Sequence, residues 1–359
     1  MLFDINNISK RRSFLLLLLI GALATVLYWR MLDNFFFSDD FEWLDQVKIL
    51  ELRSLSIFNP VVHPPSPYAQ LTPLPPDYFT PLIHIIFWIN YKLFGLNPFG
   101  YHLINLILHI INSYLVVYFV FLLGNNLTLA TLVGLFFATS FSITNAVVWP
   151  SAYVDTVMFS FYILSLIAFL SFLRKGKHYH YVSSILLFIL SLASKGTALT
   201  LPLALFFIEK YHSKSKIPIK HLSKYIPFAS IILGYLVLLL DNSPISVSGQ
   251  IDFSRIILNA VKVPMTLLIP EGLLPVNPAL LLLSVLLFSA FVIILIKGSS
   301  SGLGRLGVLL MLIGVFPLFI IHWNFLANPL PLTDSISHRL YLGNLGFAMF
   351  IGGIILIMR

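Results

Sequence analysis

Long apolar segments recur along the whole chain and are separated by short polar or charged stretches. Most approach the roughly 20 residues that a helix needs to cross a bilayer, and none shows the strict alternation of a barrel strand. The pattern predicts an all-α bundle of about 10 transmembrane helices, with a range of about 9–12. The predicted spans are residues 13–32, 98–123, 127–147, 153–173, 180–193, 197–209, 225–240, 279–297, 304–322 and 340–358.

Three segments allow more than one interpretation. Residues 80–95 and 254–270 are apolar but interrupted by proline or charge, so interfacial helices, re-entrant segments and additional short spans stay open. The N-terminal basic residues 10–12 and the apolar run after them resemble a secretory signal. That run continues through Trp29 and reaches the thickness of a bilayer, so we interpret it as an uncleaved first span.

Composition supports a membrane protein. The chain is 58% hydrophobic and only 10% charged, with a mean hydropathy of +0.93, whereas soluble domains carry about 25% charged residues. We expect residues 1–359 to form a single transmembrane domain without a soluble domain. Cysteine is absent, which excludes disulfides and thiolate metal sites.

The distribution of charge predicts the orientation of the chain. With the N-terminus in the cytoplasm, 14 of the 22 Lys and Arg lie inside, and only Asp4 and Glu209 of the 14 acidic residues join them. This agrees with the positive-inside rule at every basic loop. The net charge of +8 therefore indicates orientation and not a nucleic-acid partner.

With this orientation, residues 33–97 form a long first external loop. Its second half, residues 59–81, is rich in proline, which fixes φ and removes a hydrogen-bond donor. We expect that half to be extended and without regular structure.

The same loop begins with an acidic cluster in FFFSDDFEWLDQ, residues 35–46. A carboxylate of Asp39 or Asp40 can accept a proton from an attacking hydroxyl or hold a divalent cation. The alternative is that Ser38 or Asp39 caps the following helix, with Glu42 in its first turn. Spacing alone favours the cap.

A second polar pattern lies inside a predicted span. His102, Asn105, His109 and Asn112 follow one another at intervals of three and four residues, which places them on one helix face. Such groups face a wet cavity or form hydrogen bonds between helices. We favour interhelical bonding for Asn105 and Asn112, and both interpretations stay open for His102.

Isolated charges at external helix ends form a third pattern. Lys195 and Arg339 lie on the side where the positive-inside rule gives no reason for a cation. Each can bind a phosphate ligand, or can extend to a lipid headgroup. Trp149 and Asp155 lie at another external corner, where a tryptophan is ordinary interfacial material.

No Asp, Glu, Lys or Arg lies near the middle of any predicted span. Ion-coupled transporters usually keep such groups near the midplane of the membrane. The pattern therefore disfavours a proton- or sodium-coupled carrier.

Five segments in order resemble the GT-C integral-membrane glycosyltransferases, most of all the membrane half of the transmembrane and tetratricopeptide-repeat O-mannosyltransferases and their bacterial relatives. Together they cover nearly the whole chain, and each alone is only moderately specific. The segments are SDDFEWL (38–44), GYHLINLILHIINSYLVVY (100–118), VVWPSAYVD (147–155), LASKGTALTLPL (192–203) and HRLYLGNLGFAM (338–349).

The resemblance implies transfer of a hexosyl or mannosyl group from a polyprenyl-phosphate donor, with inversion, on the external face. It implies that Asp39 or Asp40 is the general base and that Lys195 and Arg339 bind the donor phosphate. The residues that would line the cavity are Glu42, His102, Asn105, His109, Trp149, Asp155, His338 and Tyr341.

The sequence departs from this family at several points. Gly196 stands where the family often has glutamate, and Leu340 stands where it often has tyrosine. No tetratricopeptide repeats follow the last span, so the acceptor stays open among a glycan, a lipid and a protein. A requirement for Mg²⁺ or Mn²⁺ stays open too, with Asp39 and Asp40 as the ligands if a metal binds.

Two other functions fit the same residues. A transporter or flippase for a lipid-linked glycan would use such a cavity without forming a glycosidic bond. A non-catalytic scaffold for envelope assembly would use neither acid. For all three functions we expect an integral membrane protein with a periplasmic, extracellular or lumenal site, in a bacterial inner membrane.

Overall fold

The computed structural model describes residues 10–49, 80–213, 219–242, 301–320 and 337–358, with 266–268 and isolated positions between 286 and 297. Within these parts the chain is helical and has no β-strand, which confirms the all-α prediction. The α-helices are α1 Lys10–Tyr28, α2 Asp40–Ile49, α3 Pro81–Phe94, α4 Pro98–Gly124, α5 Leu127–Thr139, α6 Thr144–Val148, α7 Tyr153–Lys175, α8 His178–Leu192, α9 Leu201–Ser213, α10 Ile226–Asn242, α11 Gly302–Ile320 and α12 Tyr341–Ile357.

Local sequence explains where several of these helices begin and end. The side chain of Asn97 accepts a hydrogen bond from the backbone N–H of Phe99 and caps α4, whose first residue is a proline. Asn125 ends α4 in the left-handed conformation, with φ of 51°. The next residue, Asn126, caps α5 by accepting from the N–H of Leu129. Two adjacent asparagines thus make the tight reversal between two helices.

Four helical stretches of the described residues have the length and apolar composition needed to cross a membrane, and they indicate an integral membrane protein. A bent pair, Leu127–Thr139 with Phe141–Val148, counts as a fifth if its two halves form one span. The four stretches are Ser13–Asp33, Pro98–Gly124, Pro150–Lys175 and His338–Ile357.

Several predicted spans coincide with helices too short for that criterion. The shorter apolar helices are Pro81–Phe94, His178–Leu192, Leu222–Leu238 and Gly302–Pro317. The ambiguous segment 80–95 is thus a helix of 14 residues. The proline-rich half of the first loop lies outside the described residues up to position 79, as do almost all of 254–270 and most of 279–297.

The predicted span 127–147 is broken in the structure. α5 ends at Thr139, and a 3₁₀ turn at Phe141–Ile143 leads into the short helix α6 at an angle of 51°. Ser140 and Ser142 bond to each other at 2.8 Å inside the break, in keeping with the tendency of serine to compete with helical hydrogen bonds. The break directs the chain into the corner Trp149–Pro150, from which α7 begins.

α7 is the central helix of the bundle, because most of its side chains are buried against neighbours. It packs on α4 and α8 and reaches α9 and α12. The main hydrophobic core lies between these helices and is rich in aromatic rings, with Phe137, Phe159 and Tyr341 in mutual contact.

α11 and α12 approach each other more closely than side chains would allow. A Cβ atom at Gly346 would lie 2.0 Å from the backbone nitrogen of Met311 and 2.5 Å from the carbonyl oxygen of Gly307. A Cβ at Gly307 would lie 2.5 Å from the nitrogen of Phe350. Small residues permit such backbone contact between membrane helices.

We expect Gly346→Ala to destabilise the protein by about 1–3 kcal/mol, because the added methyl group forces α11 and α12 apart. Apparent melting temperature in detergent measures the change. Gly234→Ala in α10 is the matched control, since no neighbouring atom of the described residues lies within 4 Å of a Cβ at that position. Equal effects of the two substitutions would contradict close packing of α11 on α12.

Candidate functional site

Three distant parts of the chain meet at the end of the bundle where α7 and α12 begin. The ring of Phe37 stacks on Trp149 with centroids 5.3 Å apart. The ring of His338 meets Trp149 edge-on, also at 5.3 Å. Ser151 donates two hydrogen bonds to Asp40. These contacts bring the acidic segment, the Trp149 corner and the turn before α12 into one region, which we call the corner site.

Asp40 is the anchor of the acidic segment. Its side chain is fully buried. Oδ1 accepts from the backbone N–H of Ser151 at 2.8 Å and from its hydroxyl, and Oδ2 accepts from the N–H of Phe37 at 3.0 Å. Burial raises the pKa of Asp40 to about 6, against the effect of these hydrogen bonds. Both carboxylate oxygens of Asp40 are therefore engaged by the protein.

Asp39 and Glu42 form a separate acidic pair on the same turn. Asp39 is half-buried and accepts a hydrogen bond from the hydroxyl of Ser38 at 3.0 Å. Its backbone carbonyl accepts from the N–H of Trp43 at 3.0 Å, so Asp39 occupies the position before α2. Burial, with the nearby charge of Asp39, raises the pKa of Glu42 to about 7. Glu42 can therefore bind or release a proton near neutral pH.

Glu42→Gln should remove a pH dependence of stability. The pKa of Glu42 is raised above its ordinary value of 4.5, so the folded protein binds more protons than the unfolded chain between the two values. Stability of the wild type therefore falls as pH rises towards about 7, and Asp40 contributes in the same direction at lower pH.

In Glu42→Gln we expect the decline between about pH 6 and about pH 7 to disappear and the decline at lower pH, to which Asp40 also contributes, to become shallower. Apparent melting temperatures of both proteins across this range test the prediction. Identical profiles for wild type and variant would contradict it.

Lys195 and Asp155 form a buried ion pair near the start of α7. The ammonium Nζ of Lys195 lies 2.6 Å and 2.7 Å from the two carboxylate oxygens of Asp155, and both residues are buried. Asp155 lies in the first turn of α7, and Lys195 precedes the 3₁₀ turn Gly196–Thr200. Half-buried Arg339 interacts electrostatically with the same carboxylate. Two cations, Lys195 and Arg339, thus act on the carboxylate of Asp155.

Removal of one partner of this buried pair should be more harmful than removal of both. Asp155→Asn or Lys195→Met alone leaves a buried group without its partner, at a cost of about 3–5 kcal/mol. The double variant should lose clearly less than the sum of the two single losses. Thermal or chemical unfolding in detergent closes this cycle, and additive losses would show that the two charges do not interact.

His102 differs from the other polar residues of its helix face. It lies near the start of α4 and is buried, beside the backbone of Asn34 and Val148. Neither ring nitrogen reaches hydrogen-bonding geometry with a described residue. His102 therefore borders the corner site with hydrogen-bonding capacity to spare.

Asn105 supports the backbone of the corner. Its amide Nδ2 donates to the carbonyls of Ala146 and Val147 at 2.8 Å and 2.7 Å, and its Oδ1 accepts from the hydroxyl of Thr156. The carbonyls at the end of α6 have no continuing helix to bond. Asn105 provides their donor, which is the interhelical role that the sequence favoured.

His109, Asn112 and Tyr341 form a packed polar group deeper in the bundle. The Nε2 of His109 lies 3.0 Å from the carbonyl of Ala138, which can only accept, so Nε2 carries the proton. Nδ1 then accepts from the hydroxyl of Tyr341 at 2.7 Å. Asn112 bonds to the carbonyl of Thr156 at 3.0 Å. The polar atoms of His109, Asn112 and Tyr341 thus form hydrogen bonds with interior side chains and backbone groups.

Among the described residues there is no group of three or more His, Cys, Asp or Glu arranged to hold a metal ion. Both carboxylate oxygens of Asp40 accept hydrogen bonds from Ser151 and Phe37. A metal ion bound by Asp39 and Asp40 would therefore depend on Asp39. The geometry does not define a place for Mg²⁺ or Mn²⁺.

Sequence reasoning missed Ser151 and Phe37. Ser151 lies inside the segment VVWPSAYVD but carries no signal that it binds an acid more than 100 positions away. In the sequence, Phe37 is an ordinary apolar residue beside the first predicted span. Only the fold identifies one as the partner of Asp40 and the other as the ring that stacks on Trp149.

Comparison with known proteins does not assign this chain to a family. Comparisons with family models, with curated proteins and with solved structures gave no significant match to this chain. Any function must therefore be argued from the corner site and from the five sequence segments.

Proposed function

We propose that the protein is an integral-membrane glycosyltransferase of the GT-C type that transfers a sugar from a polyprenyl-phosphate donor to an acceptor. In this proposal the bundle has about ten spans, the N-terminus is cytoplasmic, and the corner site faces the periplasm of a bacterial inner membrane. One observation supports the proposal: Trp149 contacts both Phe37, from the acidic segment, and His338, the neighbour of Arg339, whose charge acts on the Lys195–Asp155 pair.

Asp39 and Asp40 take different parts in this proposal. Asp40 already accepts three hydrogen bonds from the protein, so its role is to hold the segment in place. Asp39 is half-buried and lies next to Glu42, whose pKa is raised to about 7. A general base works best with a pKa near the working pH. We assign the base to Asp39, because Asp40 is engaged by the protein; Glu42, whose pKa the charge of Asp39 helps to raise, lies beside it.

The cations supply the complement of a leaving phosphate. Lys195 is held by Asp155, and half-buried Arg339 interacts electrostatically with the same carboxylate. A guanidinium group can bind two phosphate oxygens at once. Arg339 is the proposed first contact of the donor phosphate, and Lys195 supports it from the interior.

The proposed step is a direct displacement. The acceptor hydroxyl oxygen bonds to the anomeric carbon, and its proton passes to the carboxylate of Asp39. The bond between the anomeric carbon and the phosphate oxygen breaks, and its electrons leave on the polyprenyl phosphate. Arg339 and Lys195 offset the negative charge that develops there. A single displacement inverts the anomeric centre.

We expect Asp39→Asn to reduce sugar transfer at least 100-fold, the order of magnitude that a general base contributes. Purified protein is incubated with radiolabelled polyprenyl-phosphate sugars and candidate acceptors, with and without a chelator, and product is counted. Asp45→Asn, on the same helix α2, is the matched control and should retain activity.

Unchanged transfer by Asp39→Asn would contradict the assignment of the base. If wild-type protein moves the intact lipid-linked sugar across vesicles and forms no glycosidic bond, the proposed transferase activity is wrong. The chelator arm shows whether a divalent cation takes part.

A further inference from the structure

Trp149 contacts one residue near the acids and one residue next to Arg339. One face of its ring stacks on Phe37, at an interplanar angle of 27°, and Phe37 is two positions from Asp39. The ring of His338, the neighbour of Arg339, meets the indole at 88°. In a displacement reaction the sugar must lie between the base and the leaving phosphate. Trp149 therefore occupies the position from which a protein group can contact that sugar.

The backbone of Trp149 is held firmly by the corner. Its N–H donates to the carbonyl of Asn145 at 3.1 Å, and its carbonyl accepts from the N–H of Ala152 at 3.0 Å. The side chain is 9% exposed. Rotation of the indole away from the site would require the ring contacts to Phe37 and His338 to break.

The indole nitrogen Nε1 of Trp149 is buried and has no hydrogen-bond acceptor among the described residues. An indole N–H can only donate. A buried donor without an acceptor costs about 1–3 kcal/mol, and buried polar groups in proteins are nearly always paired. The arrangement is typical of a donor that is held ready for an oxygen atom of a ligand.

We propose that the indole N–H of Trp149 recognises a hydroxyl group of the transferred sugar and so contributes to selection of the donor. This inference rests on the proposed function, because it takes the lipid-linked sugar as the ligand. Phe37 and His338 already contact the ring. Recognition is therefore by the N–H edge and not by stacking of the sugar on the ring. His102, beside the backbone of Val148, is a second buried polar side chain at this corner.

A direct test observes the indole signals of the full-length protein in lipid nanodiscs. The chain has five tryptophans, and ¹⁵N-labelled indole groups report on each N–H; Trp149→Phe assigns the signal of Trp149. We expect a polyprenyl-phosphate sugar to move this signal more than sugar-free polyprenyl phosphate does. A signal that does not move, or that moves equally with both ligands, would overturn the inference and would leave an ordered water as the acceptor.

A kinetic test uses donors that lack one sugar hydroxyl each. We expect wild-type protein to use one of these deoxy donors about tenfold less efficiently in kcat/KM, the cost of one unmet hydrogen bond. Trp149→Phe keeps a ring but has no donor, so it should no longer discriminate at that hydroxyl. Trp29→Phe, at a ring that is 51% exposed, is the matched control and should discriminate as wild type does.

The two proposals fail in different ways. Sugar transfer with full discrimination in Trp149→Phe would overturn the role of Trp149 and leave the transferase activity intact. A sugar-specific shift of the Trp149 signal without any transfer would support recognition by the indole and contradict the transferase activity.

Discussion

The buried carboxylate of Asp40 is the interaction on which the corner site depends. A carboxylate is stable in such surroundings only when donors satisfy its oxygens, and here Ser151 and Phe37 supply three hydrogen bonds. The bonds connect the segment after α1 to the turn before α7. Asp40 thus has a structural role that Asp39 and Glu42 do not share in these hydrogen bonds.

The broken span provides the other half of this arrangement. A helix that stops within an apolar bundle leaves carbonyl groups that have no partner in lipid. Asn105 from α4 donates to the carbonyls of Ala146 and Val147. The break can therefore persist, and it presents Trp149 and Ser151 to the acidic segment. The side-chain amide of Asn105 on α4 thus stabilises the turn between α6 and α7.

The polar face of α4 shows how far periodicity could predict the site. The spacing of His102, Asn105, His109 and Asn112 correctly places all four on one buried face. Periodicity does not distinguish their partners, because these depend on which helix packs opposite each turn. His102 meets the corner site, whereas His109 meets Tyr341 from the last described helix. Lys195 was predicted as an isolated cation, but the fold pairs it with Asp155.

The sequence by itself determined the all-α class and the positions of several long apolar helices. These properties follow from composition, local hydrogen bonding and periodicity, which act over one helix at a time. Only the tertiary structure decided that Asp40 bonds to Ser151, that Asp155 pairs with Lys195, and that Trp149 contacts both Phe37 and His338. Such pairings depend on the packing of helices far apart in the chain, and no local pattern encodes which buried polar groups will meet.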